Sequence, residues 1–177
     1  KLSLGLKYLG RYAFSYCDDL ESIKIPKSLE KCGLYHDNNK AVGPFSYCEK
    51  LKTIEFEEGT TEIAEALLAG CTQLEKLTIP GTVTVIEYKG VANCSSLTDI
   101  KIPDSVTEIG ESAFEDCTSL KNVKISENSL TIGSSAFRRC SLLESIDIPD
   151  NIIEIDDYAF CGCSKLKNIK LSLGLEY

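Results

Sequence analysis

Residues 103–126 read PDSVTEIGESAFEDCTSLKNVKIS, and variants of this phrase fill the chain of 177 residues. The cysteine within the phrase recurs along the chain, first after an interval of 31 and then every 23 residues, five times in succession. We call these residues the cysteine column and number the seven copies by them: Cys17, Cys48, Cys71, Cys94, Cys117, Cys140 and Cys163. Self-similarity at a period of roughly 20 to 50 residues is typical of stacked repeats. The spacing therefore predicts a solenoid.

Apolar residues recur at fixed distances from each column cysteine, as a shared core requires. A leucine follows three residues later, an aliphatic residue six later and another apolar residue eight later. The position three residues before the cysteine is bulky and holds five of the six phenylalanines: Phe14, Phe45, Leu68, Val91, Phe114, Phe137 and Phe160. One unit cannot bury these side chains by itself, so we expect each copy to cover the next.

Two extended segments and one tight turn are predicted within each unit. Residues 22–25 alternate polar and apolar side chains, which is typical of a half-buried strand. Proline, which cannot donate a hydrogen bond to a sheet, follows this segment at Pro26, Pro80, Pro103 and Pro149. Residues 106–110 predict a second short extended piece, and residues 111–117 predict one helical turn. We therefore predict a leucine-rich-repeat type solenoid, a right-handed β/α superhelix with one curved parallel sheet and short helical or irregular turns.

The second copy is longer than the others by eight residues. Residues 29–33 match residues 106–110, so Cys32 takes an aliphatic position and residues 34–41 form an insertion. We treat residues 1–177 as a single leucine-rich-repeat domain of about seven repeats. Residues 1–8 recur as residues 170–177, and neither end shows a polar capping segment. This predicts a fragment of a longer array, or ends that stack on another copy of the chain.

The unit A-F-x-x-C-x-x-L-x-x-I-x-I-P, preceded by V-T-x-I-G, resembles the BspA-like leucine-rich repeats of bacterial and protist surface proteins. Residues 103–126 are the cleanest copy, and the resemblance covers essentially the whole chain. Copies 3 and 4 depart from it, because Leu67-Leu68 and Gly90-Val91 replace Ala-Phe. The resemblance implies a secreted or cell-surface module for adhesion or protein binding.

Composition and charge restrict the class of partner. Apolar residues make up 43% of the chain and charged residues 26%, which excludes a mostly disordered protein. The net charge is −8, whereas a surface that follows phosphates needs a basic excess, so we expect no nucleic acid partner. No apolar run approaches the roughly 18 residues of a membrane helix, so we expect no membrane insertion. We also expect no cofactor.

The cysteine column could in principle hold disulfides, metal ions or free thiols. Stacked copies point their Cβ atoms in the same direction, which is poor disulfide geometry, and no Cys-x-x-Cys pair exists to place two zinc ligands on one turn. The pattern favours a ladder of reduced, buried thiols beside Phe and Leu. Cys161 lies outside the column, at the position of Glu115 in copy 5, and it is the best candidate for an exposed, reactive thiol. Residues 93–95 match a glycosylation sequon, but they straddle a buried column cysteine, so we do not expect its use.

The insertion contains the only histidine, His36. No matching Ser, Cys or second His lies nearby in the sequence to complete a catalytic set with His36, so a solvated loop histidine is the simplest interpretation. Inserted loops on solenoids often carry recognition, and Tyr35 would suit a contact anchor. Tyr35 and His36 are therefore candidate partner contacts.

Outward-facing strand positions form two stripes that are candidate binding surfaces. The first stripe is Lys24, Glu55, Thr78, Lys101, Lys124, Asp147 and Lys170. The second stripe is Ser22, Thr53, Lys76, Asp99, Asn122, Ser145 and Asn168. Their charges sum to +2 and zero, so we expect the sheet face to be less acidic than the rest and Lys101 beside Lys124 to receive a carboxylate. The alternative is a solvated face whose charges serve solubility.

These observations predict a non-catalytic module that binds a protein or a glycan with its sheet face and the 34–41 loop. The alternative function is an architectural spacer or a self-stacking segment of a larger surface protein, with end-to-end self-association. An enzyme would need a cleft with perturbed acids or a thiol, and Cys161 is the only support for that interpretation.

Overall fold

Both extended segments of each repeat are strands in the computed structural model, which describes residues 2–38 and 40–170. The strands are, in chain order, β1 (Tyr8–Leu9), β2 (Ser22–Ile25), β3 (Lys31–Cys32), β4 (Tyr35–Asp37), β5 (Lys40–Val42), β6 (Thr53–Phe56), β7 (Glu62–Ile63), β8 (Val85–Ile86), β9 (Asp99–Lys101), β10 (Glu108–Ile109), β11 (Asn122–Lys124), β12 (Thr131–Ile132), β13 (Ser145–Asp147), β14 (Glu154–Ile155) and β15 (Asn168–Lys170). Neighbouring copies pair in parallel, and the chain forms a β-solenoid of about seven turns. Residues 171–177, which hold nearly all of the repeat of the N-terminal sequence, lie outside the described residues.

The two strand types make two separate faces of the solenoid. The two-residue strands pair as β1-β3 and as β14-β12-β10-β8-β7, and we call this the short-strand face. The longer strands pair as β2-β6 and as β15-β13-β11-β9, and we call this the long-strand face. The expectation of one curved sheet is therefore corrected to two parallel faces. Each copy contributes two extended segments separated by turns, so stacking builds one ladder from each.

The segment before each cysteine is not the helical turn that its sequence predicts. In every copy the residue just before the column cysteine has a positive φ, and in six copies the residue five before it does as well. Left- and right-handed backbone conformations alternate along this segment, so every second N–H group points toward the next copy in the stack. The N–H groups of Ser112, Phe114 and Asp116 accordingly donate to carbonyls of copy 6 at 2.7–2.8 Å. The alternate donors, the N–H groups of Ala113, Glu115 and Cys117, bond the carbonyl three residues earlier in their own copy at 3.0–3.2 Å, so tight turns and bonds between copies share the backbone donors. The described part of the chain contains no helix, and hence no candidate for a membrane-spanning one.

The core is one continuous cluster that runs through all seven copies. Phenylalanines at the bulky position stack directly on one another, with ring centroids 5.2 Å apart for Phe114 and Phe137 and 5.5 Å for Phe137 and Phe160. Cys32 is buried and pairs in register with Leu9, which confirms that it fills an aliphatic position. Each large side chain that is buried in this way contributes about 1.5–3 kcal/mol.

The insertion is an antiparallel hairpin of β4 and β5 that lies over the turns of copies 3 and 4. Ala41 of the hairpin packs with Ala66, Ala69 and Ala92, and Leu34 lies against this cluster. The hairpin therefore covers the outward turn positions Ala66 and Ala69 of copy 3 and Ala92 of copy 4, and these side chains are small because another element lies over them.

Candidate functional site

The first stripe of the long-strand face is exposed along its described length. Parallel pairing places Lys101 directly beside Lys124, and Lys124 beside Asp147. At the two ends of the stripe, Lys24 is paired with Glu55 and Asp147 with Lys170. Thr78, also exposed, lies in copy 3, where the segment is extended but not assigned to a strand. The central lysine pair is thus the densest positive charge on this stripe.

Side-chain hydrogen bonds to Asp99 link residues of the second stripe to one another and to Thr98. Its carboxylate accepts hydrogen bonds from Asn122 Nδ2 at 2.6 Å and from Thr98 Oγ1 at 2.7 Å. These two bonds, with smaller contributions from Lys121 and Lys76, hold the pKa of Asp99 below its ordinary value. Asp99 therefore stays ionised, and it balances the nearby lysines of an otherwise polar surface.

The C-terminal end of the first stripe forms one wall of an open cavity of about 420 Å³. Lys124, Asp147 and Lys170 line it, together with the acidic side chains of Glu127 and Asp150. Charges of both signs are present, so this cavity is less selective for an anion than the pair Lys101 and Lys124.

Tyr35 and His36 lie on β4, away from the two stripes. The Tyr35 ring, 45% exposed, lies 5.6 Å from the Tyr12 ring, and the Arg11 guanidinium lies 5.7 Å from its centroid. His36 is exposed and faces the turn segments of copies 4 to 6. All the contacts described for the hairpin lie on turn segments, so the structure does not join these two residues with the stripes in one site.

The column cysteines have a specific partner that sequence reasoning missed. From copy 2 onward each thiol donates to the backbone carbonyl of the bulky position one copy earlier, with Sγ–O distances of 3.1–3.8 Å. Cys17 is exposed, which corrects its expected burial, because no earlier copy among the described residues covers it. Burial raises the pKa of Cys163 to about 11 and that of Cys32 to about 12. Cys163 of the column and Cys32 outside it therefore stay protonated at neutral pH.

Two other sequence predictions concern single side chains. Cys161 is exposed, as expected from its position outside the column. Asn93 of the sequon is buried, and its Nδ2 donates to the Ala41 carbonyl of the hairpin at 3.0 Å. Its amide nitrogen is therefore engaged within the fold. Among residues 2–38 and 40–170, no cluster of three or more His, Cys, Asp or Glu side chains could hold a metal ion.

A buried charge cluster on the turns of copies 4 to 6 was not predicted. Lys89 Nζ lies 2.8 Å from Glu115 Oε2, and Arg138 Nη1 lies 3.0 Å from Glu115 Oε1. Burial raises the pKa of Glu115, but the hydrogen bond and charge of Lys89, with Ser112 and Arg138, hold it below its ordinary value. A signal existed in the sequence, because Glu115 and Arg138 are opposite charges at one repeat position, 23 residues apart.

Comparison with known proteins identifies the repeat. The family described as BspA type leucine-rich repeat region matches residues 1–94 and 88–177 in six copies. A leucine-rich repeat protein from Bacteroides ovatus is 29% identical, with a TM-score of 0.79 over 96% of this chain. The T. pallidum leucine-rich repeat protein is 26% identical, with a TM-score of 0.66, and the match covers 92% of this chain and 72% of that protein.

A leucine-rich cell surface protein from Faecalibacterium prausnitzii is also similar, with 25% identity, a TM-score of 0.55 and coverage of 90% of this chain. This chain spans 42% of the Bacteroides ovatus protein and 56% of the Faecalibacterium prausnitzii protein. No curated protein is a significant match. The family model covers the repeats from end to end, and the chain belongs to the BspA-type leucine-rich-repeat family.

Proposed function

We propose that the chain is a non-catalytic binding module whose long-strand face receives an acidic group on a protein or glycan partner. The observation that carries this proposal is the register of β9 and β11, which places Lys101 beside Lys124 on an exposed surface. Neither lysine forms an ion pair with another described residue. In a chain of net charge −8, two adjacent unpaired ammonium groups are a local attraction for a carboxylate.

The similarity to a protein described as a cell surface protein supports a secreted or cell-surface location for this chain. A surface repeat module needs a rigid, regular face, and parallel pairing supplies it here. The hairpin with Tyr35 and His36 would add a second contact area on the turn side. Binding to an extended partner could engage both areas, because they belong to one continuous stack.

The test compares two double variants of the chain. Lys101→Gln with Lys124→Gln removes the central pair, whereas Lys27→Gln with Lys165→Gln removes two exposed lysines outside the stripes. Both variants are applied to arrays of acidic and neutral glycans and peptides. We expect the first variant to lose at least tenfold in affinity for acidic ligands and the second to bind as the parent does. Equal binding by both variants would refute the role of this face.

The enzymatic alternative rests on Cys161 and has a simple test. Cys17 and Cys161 are both exposed, so Cys17 is the internal control for accessibility. In an alkylation time course at pH 7, we expect the two thiols to react at similar rates. Reaction of Cys161 ten or more times faster would indicate an activated thiol and would contradict the non-catalytic proposal.

The alternative function, an architectural or self-stacking segment, is favoured by the backbone hydrogen bonds between the turns of neighbouring copies. Every second N–H of each turn points toward the following copy, so identical units can be added on the same backbone bonds. Light scattering at increasing protein concentration tests self-stacking. A strict monomer at millimolar concentration would remove this alternative, and a concentration-dependent rise in mass would support it.

A further inference from the structure

The turn positions of copies 4 and 5 bury charges that the fold does not require. Lys89 and Glu115 are each 8% exposed. In copy 3 the same two repeat positions hold Ala66 and Ala69, which are also buried. A buried ion pair is in general no more stable than apolar residues of similar volume, because removal of both charges from water is costly. Packing alone therefore does not account for these charges.

The Lys89 side chain is held in place by its neighbours. Its φ of +54° is the left-handed backbone conformation that six copies share at this position, so it belongs to the repeat and not to this site. The Lys89 Nζ atom also lies 5.4 Å from the Tyr88 ring centroid, so the ammonium group is fixed on two sides.

The charge cluster forms the floor of an open cleft of about 420 Å³. His36 of the hairpin lies at one wall, and Ser112, Ser135 and Arg139 lie on the turns of copies 5 and 6. Glu111 is the acidic residue at the rim. The volume suits one or two sugar rings, since small-molecule sites measure roughly 300–1,000 Å³.

The donors in this cleft exceed the acceptors that face them. One carboxylate, Glu115, is shared by Lys89 and Arg138, so the three side chains together carry a net charge of +1. Lys89 has three N–H donors and Arg138 has five, and the described residues engage one donor of each. The Arg139 guanidinium bonds Asp116 through Nη1 only. Several charged donors therefore remain for an incoming anion.

We infer that this cleft binds the carboxylate of an acidic sugar, a uronic or a sialic acid, with Lys89 and Arg138 as the anion contacts. The two serines and His36 offer hydroxyl and imidazole groups for the sugar hydroxyls. An acidic peptide would also bring apolar side chains, and the cleft lining is almost wholly polar. This site lies on the turns and is distinct from the lysine pair of the long-strand face, so either site can fail without the other.

The experiment uses the 177-residue chain and two matched sets of probes. The methyl glycosides of glucuronic acid, galacturonic acid and N-acetylneuraminic acid are titrated by NMR or calorimetry, beside the methyl esters of the same sugars. The esters keep the shape of the sugar and remove its charge. We expect at least one acid to bind and its ester to bind at least tenfold more weakly. This comparison requires no variant, so it does not depend on how a substitution affects folding.

Variants then locate the site. Arg138→Gln is expected to weaken binding of the acid at least tenfold, whereas Lys165→Gln, at an exposed lysine outside both proposed sites, leaves it unchanged. The absence of binding by all three acids at millimolar concentration, or equal binding of acid and ester, would overturn the inference. Loss of binding in Lys165→Gln but not in Arg138→Gln would overturn it too. Arg138-dependent binding of an acidic peptide, without sugar binding, would reject the sugar as the ligand class.

Discussion

The sulfur atom of each buried column cysteine fills space and also donates a hydrogen bond. Cys117 illustrates this, since its Sγ lies 3.2 Å from the Val91 carbonyl of the preceding copy. A thiol is small enough for the crowded interior and still offers a weak hydrogen-bond donor to a carbonyl of the preceding copy. This dual role explains why the position holds cysteine in all seven copies and not a larger aliphatic residue.

Replacement of this thiol should be costly at a buried column position and almost neutral outside the column. We expect Cys117→Ala to lower the free energy of unfolding by about 1–3 kcal/mol, because it leaves a small cavity and removes the donor to Val91. Cys161→Ala should change it by less than about 0.5 kcal/mol, since Cys161 is exposed. Urea denaturation in reducing buffer measures both values, and equal effects would contradict the proposed role of the sulfur.

The residue before each column cysteine adopts a left-handed backbone conformation, and in copy 3 this residue is the glycine Gly70. Gly70 has a φ of +78°, and an added Cβ would lie 2.6 Å from Ser46 Oγ. We expect Gly70→Ala to destabilise the fold by more than about 2 kcal/mol, from the left-handed strain and the clash together. The control is Gly81→Ala, because Gly81 is exposed and a Cβ there meets nothing within 4 Å. Thermal unfolding should show a lower Tm for the first variant only.

At the scale of the element, the hairpin is held by small side chains on the turns that it covers. Ala69 is fully buried beneath it, whereas the same repeat position holds the half-exposed Arg138 in copy 6 and the exposed Cys161 in copy 7. The position therefore accepts a long charged side chain only where no second element lies above it. The residue type at this repeat position therefore indicates whether the hairpin covers that copy.

This difference predicts the outcome of one substitution placed at two equivalent positions. We expect Ala69→Arg to destabilise the chain by about 2–4 kcal/mol, or to detach the hairpin, because a buried cation would have no partner there. Cys161→Arg, at the equivalent position of copy 7, should be nearly neutral. Limited proteolysis within residues 34–41 detects detachment of the hairpin, and urea denaturation measures stability. Equal effects at the two positions would show that the hairpin does not cover Ala69.

The sequence was sufficient to predict the elements that depend on periodicity, and it failed where backbone geometry decides. The cysteine interval gave the parallel stack, and the match of Cys32 to an aliphatic position is confirmed by its pairing with Leu9. Residues 111–117 resemble a helical turn in composition, but every second N–H group of this segment bonds the next copy, which no local pattern reveals. The buried pair of Lys89 and Glu115 joins two different repeat positions, so it becomes evident only when the copies are stacked.

At the scale of the whole molecule, burial affects the pKa of cysteine in several copies at once. The thiols whose pKa burial raises lie along the length of the core: Cys32, Cys48, Cys71, Cys94, Cys140 and Cys163. An unfolded thiol has an ordinary pKa near 9, as in solution. The folded chain therefore keeps protons at alkaline pH that the unfolded chain releases.

The chain should consequently lose stability steeply above pH 9. A raised folded pKa contributes stability that is complete below the unfolded pKa, near 9, and is lost as the pH rises toward the folded values of about 11 and 12 for Cys163 and Cys32. Each such thiol removes up to about 1.4 kcal/mol per pH unit in this window. The measurement is the free energy of unfolding in urea at pH 8, 9, 10 and 10.5 with a reductant present. Cys32→Val, which restores an aliphatic residue at its position, should reduce the slope by about one proton, whereas Gly81→Ala, which changes no titratable group, should leave it unchanged. A slope that is the same in all three proteins would show that the buried thiols do not control the alkaline limit of this fold.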